Sequence, residues 1–287
     1  ASVSGNVGKV GSKGFDGSID YQKFFNNDLW ISLRGNFTYA VNELLELDEK
    51  DYPDQYLKRI GNNINQQWGF IAERLFVDEE EIKNSPYQDF GRYMAGDIKY
   101  KDINNDGIIN DNDRVALGYP TVPEIQYGFG ASAGYKSFDF SFFFQGNAHT
   151  SFFIDATSTT SDTRAGIAPF TNRRNALAII ADDHWSETNP NVHAFWPRLS
   201  TEPLENNIKQ SSWWLRDGSF LRLKSVEVGF SPKNLEKIGF AKGSRIYFSG
   251  ENLMVFSPFK LWDPEMGDRG LGYPPNRRFN VGIQLAF

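Results

Sequence analysis

The chain has 287 residues, 15% of them aromatic with 25 Phe, and carries a net charge of -6. Scattered, outnumbered Lys and Arg give no footprint for nucleic acid, which is excluded as a partner. The absence of Cys removes disulfides, thiol nucleophiles and thiolate metal sites. No apolar run reaches the roughly 18 residues that a membrane-crossing helix needs, so any spanning has to be done by strands. Ala1-Ser2-Val3-Ser4-Gly5 lacks the basic start and apolar stretch of a signal peptide, so the expectation is a removed leader or a chain that begins partway through something larger.

Side chains alternate from Phe15 to Lys23 and from Leu29 to Val41, with Asn26-Asn27-Asp28 as the turn between them. Leu29, Ile31, Leu33, Gly35, Phe37, Tyr39 and Val41 share one face of the second run. Its thirteen residues are long for a soluble sandwich and suit a tilted membrane strand, which needs roughly 9–11. A weaker strand signal lies near Trp68 to Phe76. Glu79-Glu80-Glu81 reads as a solvated helix start, not as paired catalytic acids.

Residues 102–113 follow the twelve-residue calcium-loop pattern, with oxygen donors Asp102, Asn104, Asp106, Asn110 and Asp113 and Gly107 at the sharp turn. Ile108 would add its backbone carbonyl and Ile109 would point inward. A hard, all-oxygen set suits calcium, which would offset the repulsion among the carboxylates and fix a surface loop. Asp113 stands where EF-hands carry Glu, a shorter last ligand that dockerin-type loops use. The competing reading is an Asn/Asp-rich turn bonded to itself.

A second hairpin runs from Ile125 to Tyr135, turns at Lys136-Ser137, and returns with Phe138, Phe140, Phe142 and Phe144 on one face. Four Phe on one strand face are a heavy load for a small core and ordinary against acyl chains. The small residues Gly128 to Gly134 suit a curved wall, and no phosphate-binding helix follows them. Further strands are expected over Ser219 to Phe230, Arg245 to Leu253 and Phe279 to Phe287, about seven in all. Leu221 and Leu223 change face relative to Val226, Val228 and Phe230, which predicts a β-bulge near Lys224-Ser225. The long connections, 78–123 and 150–212, are assigned to the cell exterior, as in bacterial barrels. The second is expected to hold a short helix from Asn175 to Ala181, then Trp185, Trp196, Trp213 and Trp214. Trp213-Trp214 read as loop anchors, whereas Trp185 and Trp196 are candidates for stacking on substrate or for anchoring. His149, His184 and His193 accompany no serine elbow or zinc-type pair, and no catalytic residues are assigned.

The order of motifs resembles the C-terminal region of SusC/RagA-type TonB-dependent outer-membrane transporters of Bacteroidetes. Gly96-Asp97-Ile98-Lys99-Tyr100, Asp113-Arg114, Gly118-Tyr119-Pro120, Pro123-Glu124 and Tyr127-Gly128-Phe129-Gly130 carry the likeness. So do Trp213 to Lys224, Ser249-Gly250-Glu251-Asn252-Leu253, Asp263-Pro264-Glu265, Asn280-Val281-Gly282 and Phe287. The resemblance spans essentially residues 1–287. It implies an all-β, antiparallel transmembrane barrel, with this chain giving about seven or eight strands of a plugged 22-strand barrel in the outer membrane. It implies import of oligosaccharide or peptide, a SusD-like surface lipoprotein over the mouth, and drive from TonB with ExbB and ExbD through a plug upstream of these residues. The alternatives are a secreted calcium-stabilised β-sandwich that binds glycan, and a passive porin.

Overall fold

A computed structural model describes residue 5 and residues 7–156, 177–232, 243–270 and 272–286. Two long strands open it, β1 (Gly8–Phe24) and β2 (Leu29–Leu47). Short strands β3 (Gln67–Gly69), β4 (Ala72–Leu75), β5 (Tyr87–Gln88), β6 (Ile98–Tyr100), β7 (Ile108–Ile109) and β8 (Val115–Leu117) follow, with helix α1 (Glu79–Lys83) among them. The Phe-rich hairpin is β9 (Ile125–Tyr135) and β10 (Phe138–Ala148). After β11 (Ser151–Phe153), the single turn α2 (Ala178–Ala181) and β12 (Leu215–Asp217) come the last long strands. These are β13 (Phe220–Phe230), β14 (Gly243–Phe256) and β15 (Arg278–Ala286). Asn175 and Ala176, where the expected helix begins, lie outside the described residues, as does Phe287.

The long strands form one seven-stranded sheet in the order β1-β2-β9-β10-β13-β14-β15. Every pair in it is antiparallel. The hairpin turns sit where expected: Asn26 Oδ1 accepts the Asp28 and Leu29 amides at 2.9 and 2.8 Å, and Lys136 takes a φ of 56°. The predicted bulge is present as a register shift between Leu223 and Ser225, opposite Asn252 with its φ of 54°. Its effect is to keep Leu221 and Leu223 on the same outer face as Val226, Val228 and Phe230.

That outer face is apolar and open. Ile19 is 74% exposed, Phe138 61%, Val281 77% and Ile283 67%, and Phe15, Leu33, Phe129, Phe140, Phe248 and Phe279 are exposed beside them. A sandwich would bury these rows against a second sheet. Among the described residues no second sheet covers them, which speaks against the sandwich and for a lipid-facing wall. No helix among the described residues is long and apolar enough to cross a membrane.

The opposite face is built by fitting large side chains over glycines. Trp30 lies across Gly134, Phe143 across Gly128 and Gly130, and Tyr247 across Gly282. A Cβ at Gly128 would stand 2.7 Å from the Phe143 ring, closer than real contacts allow. Arg245 binds Asp139 and reaches Glu227 at 2.6 Å, crossing three neighbouring strands of this face.

The short turns at 25–28 and 136–137 share one end of the sheet, where Lys136 N–H donates to Asp28 O at 2.7 Å. The connections 48–124, 149–219 and 257–277 all leave from the other end. The first two are not separate irregular loops. Their described residues fold together into a cap with its own apolar cluster, which takes Phe70, Leu75, Ile98, Tyr100 and Ile109 from the first and Phe153, Trp185, Trp196 and Trp214 from the second. The strand expected over Trp68 to Phe76 is accordingly no stave of the wall. It breaks into β3 and β4 because Phe70 bonds across the cap, its N–H to Gln210 O at 3.0 Å and its O from Ser212 N–H at 2.9 Å.

Candidate functional site in the cap and the mouth of the wall

Asp97 holds the two halves of the cap together. Its carboxylate is fully buried and accepts Arg198 Nε and Nη2 at 3.1 and 2.9 Å, Asn207 Nδ2 at 2.8 Å and the Met94 N–H at 2.9 Å. Asn207 Oδ1 then accepts the Ile98 N–H, and Tyr100 Oη donates to Asn206 O at 2.6 Å. Each residue of the Gly96-Asp97-Ile98-Lys99-Tyr100 motif has a physical task. Gly96 adopts a φ of +83° beneath the Trp185 ring, where a Cβ would collide with it. Lys99 binds Glu81 at 2.9 Å and Glu73 at 3.5 Å.

The acidic helix start is therefore only partly solvated. Asp78 caps it by accepting the Glu81 N–H at 2.8 Å, as its sequence suggests. Glu81, however, folds back onto Arg74 and Lys99. Burial alone would raise its pKa, but hydrogen bonds from Lys99, the Val77 N–H and Arg74 outweigh it and hold the carboxyl at about 2.

In the calcium-type loop, Asp102 accepts the amides of Asn105 and Gly107 at 2.7 and 2.9 Å. Asn104 Oδ1 accepts Asp106 N–H, Asp106 Oδ1 accepts Ile108 N–H, and Asn110 Oδ1 accepts Asn112 N–H. Asp113, fully buried, bridges the loop ends by accepting Ile103 and Asn110 N–H, both at 2.8 Å. Gly107 has a φ of 84°, and Ile109 plugs the cap core while Ile108 faces out. The oxygen donors fit calcium in kind. Among the described residues no three acidic or imidazole side chains stand together as a metal cluster.

The tryptophans are structural in their placement. Trp185 is 6% and Trp196 1% exposed, both inside the cap cluster. Trp196 Nε1 donates to Ile179 O at 2.8 Å, Trp213 Nε1 to Phe195 O and Trp214 Nε1 to Asn207 O. Neither Trp185 nor Trp196 offers a ring face to a ligand, so the geometry is that of anchoring.

Two features could not be found by reading along the chain. The first is a clamp: Arg222, 3% exposed on β13, binds Asp263 at 2.6 and 2.7 Å and Glu265 at 2.8 Å, tying the 257–277 connection to the wall. This is what the Asp263-Pro264-Glu265 motif does. The second is a recess of about 570 Å3 on the inner face of the sheet at the cap end, whose lining includes Asn36, Gln126, Phe143, Gln145, Asn147 and Glu265. Elsewhere at the cap end of the wall, Tyr119 stacks on His149 with ring centres 4.3 Å apart, and His149 Nδ1 lies 3.2 Å from Glu124 Oε2.

The chain aligns over nearly its whole length with curated TonB-dependent receptors. It is 28% identical to TonB-dependent receptor P26 of Formosa agariphila, covering 98% of this chain and 30% of that protein. It is 24% identical to TonB-dependent receptor SusC of Bacteroides thetaiotaomicron, covering 100% of this chain and 27% of that one. The likeness is to SusC/RagA-type TonB-dependent receptors. No family model matches. Among solved structures, the RagAB peptide transporter superposes with a TM-score of 0.69 at 19% identity, covering 98% of this chain and 29% of that one. The RagAB peptide importer in its closed-closed state gives a TM-score of 0.65 at 22% identity. The chain thus spans about 30% of the length of the relatives it matches. It is a piece of outer-membrane β-barrel, and its relatives are receptors, not enzymes.

Proposed function

We propose that these residues supply wall and cap to an energised outer-membrane importer of nutrient oligomers. The observation that carries this reading is the joint pattern of an apolar, uncovered outer face and three long connections gathered at one end, on a chain aligned throughout with TonB-dependent receptors. In this reading the cap, with stretches 78–123 and 150–212, faces the cell exterior. A SusD-like lipoprotein closes over the mouth, and TonB with ExbB and ExbD drives transport through a plug that is not among these residues. The ligand class is an oligosaccharide or a peptide. Uptake of such oligomers by cells carrying the full-length protein should stop when TonB is deleted. Uptake that persists without TonB would favour a passive porin and refute energised import.

The proposal extends to calcium in the 102–113 loop, held by Asp102, Asn104, Asp106, the Ile108 carbonyl, Asn110 and Asp113. The ion would neutralise these carboxylates and stiffen the cap rather than take part in transport. Calcium should raise the thermal stability of the cap, and Asp102→Ala should abolish the gain. Stability unchanged by chelation would retire the site.

A further inference from the structure

Arg74, Arg198, Arg222 and Arg245 each bind a carboxylate, that of Glu81, Asp97, Asp263 and Asp139 in turn. Arg216, half-buried on β12 in the cap, meets none among the described residues. Its Nη1 donates to Leu215 O at 2.6 Å, and its guanidinium lies over the Phe195 ring, 4.6 Å from the ring centre. Those two contacts fix the plane of the group and leave its other N–H bonds without an acceptor among the described residues. Burial pushes the guanidinium down to about 10 with no carboxylate to oppose the shift, so it stays charged at neutral pH. A desolvated cation without a counter-ion is costly, and an anion that joins it relieves the cost.

Arg216 lines a pocket of about 300 Å3 between β12 and the start of the 257–277 connection. Lys260, exposed, adds a second cation that pairs with no carboxylate among the described residues. Asp217 also lines the pocket, but its carboxylate accepts the Ser219 N–H at 2.8 Å and pairs with neither cation. A carboxylate ligand would occupy the guanidinium fork alone. A fork and an ammonium together suit a phosphate, which carries close to two charges and several acceptor oxygens. The remaining walls, Phe195, Pro258, Phe259 and Leu261, are apolar. Just before them β14 ends on Met254 and Phe256, both 50% exposed and paired with Leu223 and Leu221 of the outer face. The apolar outside of the wall thus runs up to the two cations.

We propose that this pocket binds a phosphate group, with the Arg216 fork and the Lys260 ammonium taking its oxygens and the apolar walls taking the body that carries it. The source is either an outer-leaflet lipid lying on Met254 and Phe256 or the free ion. The proposal is independent of what the importer carries. The test titrates the full-length transporter in dodecyl maltoside with inorganic phosphate by calorimetry, and counts bound dihexanoyl phosphatidic acid and dihexanoyl phosphatidylcholine by native mass spectrometry. Inorganic phosphate or phosphatidic acid should bind, and Arg216→Gln should weaken that binding at least tenfold while the barrel keeps its heat-resistant gel mobility. Lys260→Gln should weaken it too, and because Lys260 is exposed this variant reads the site even where Arg216→Gln disturbs the cap. Phosphatidic acid bound in preference to phosphatidylcholine, with no heat from inorganic phosphate, assigns the group to a lipid; heat from inorganic phosphate shows that the ion alone suffices. Binding of neither probe, equal binding of the two lipids without heat from phosphate, or binding untouched by both variants would overturn the proposal. None of these results bears on the importer reading, which fails only on uptake without TonB.

Discussion

Asp97→Asn tests whether the two insertions form one cap. The substitution keeps the shape and removes the charge, leaving Arg198 without its carboxylate and weakening the bonds from Asn207 and Met94. Breaking a buried pair from one side costs about 3–5 kcal/mol. Arg198 is 23% exposed and can draw back some water, so the lower end applies, about 3 kcal/mol. By the usual conversion that is on the order of a 100-fold rise in the population of opened cap. The assay is amide hydrogen exchange on the full-length transporter, comparing peptides around Ile98 and Asn207 with peptides from β10 and β13. Exchange should accelerate in both cap segments together and stay unchanged in the wall. Acceleration confined to one segment would mean that the insertions fold separately, and no acceleration would mean that Asp97 does not hold them.

Lowering the pH should loosen the same cap through Glu81. Its folded pKa of about 2 lies below the ordinary 4.5, so its stabilisation is complete above 4.5 and fades as pH falls toward 2. Glu81→Gln should flatten that part of an acid titration followed by tryptophan fluorescence; an unchanged slope would assign the loss to other carboxylates. Gly96→Ala should destabilise the cap by about 2–4 kcal/mol, combining a left-handed backbone penalty with overpacking against Trp185. A loss under 1 kcal/mol in denaturant titration would refute the collision. On the wall, Ile283→Arg should cost about 2–4 kcal/mol of barrel stability in lipid, while Asn280→Arg on the inner face, opposite Ser249, should cost little. Equal effects at the two positions would reverse the assignment of faces.

The seven staves were legible because a period of two is written into each strand by itself. Ile125–Tyr135 and Phe138–Ala148 needed no partner to reveal which side chains face out, and the change of face at Leu223 announced the bulge. The cap was not legible in this way. Its pairings join residues about a hundred positions apart, as Asp97 with Arg198 and Asn207, and no local pattern encodes such a distance. Trp185 and Trp196 illustrate the limit, since an indole in a loop reads the same whether it awaits a ligand or fills a core, and only their burial distinguishes the two. Glu81 looked solvated for the same reason: Lys99 lies eighteen residues away in the chain and 2.9 Å away in space.

Alone, the sequence determined the outward apolar face, the two hairpin turns and the bulge, because each depends on spacing within a few residues. The tertiary structure decided that two distant insertions share one core and that Arg222 clamps the 257–277 connection. Those outcomes depend on which strands lie side by side, which follows from sheet order and register, not from the alternation within any one strand.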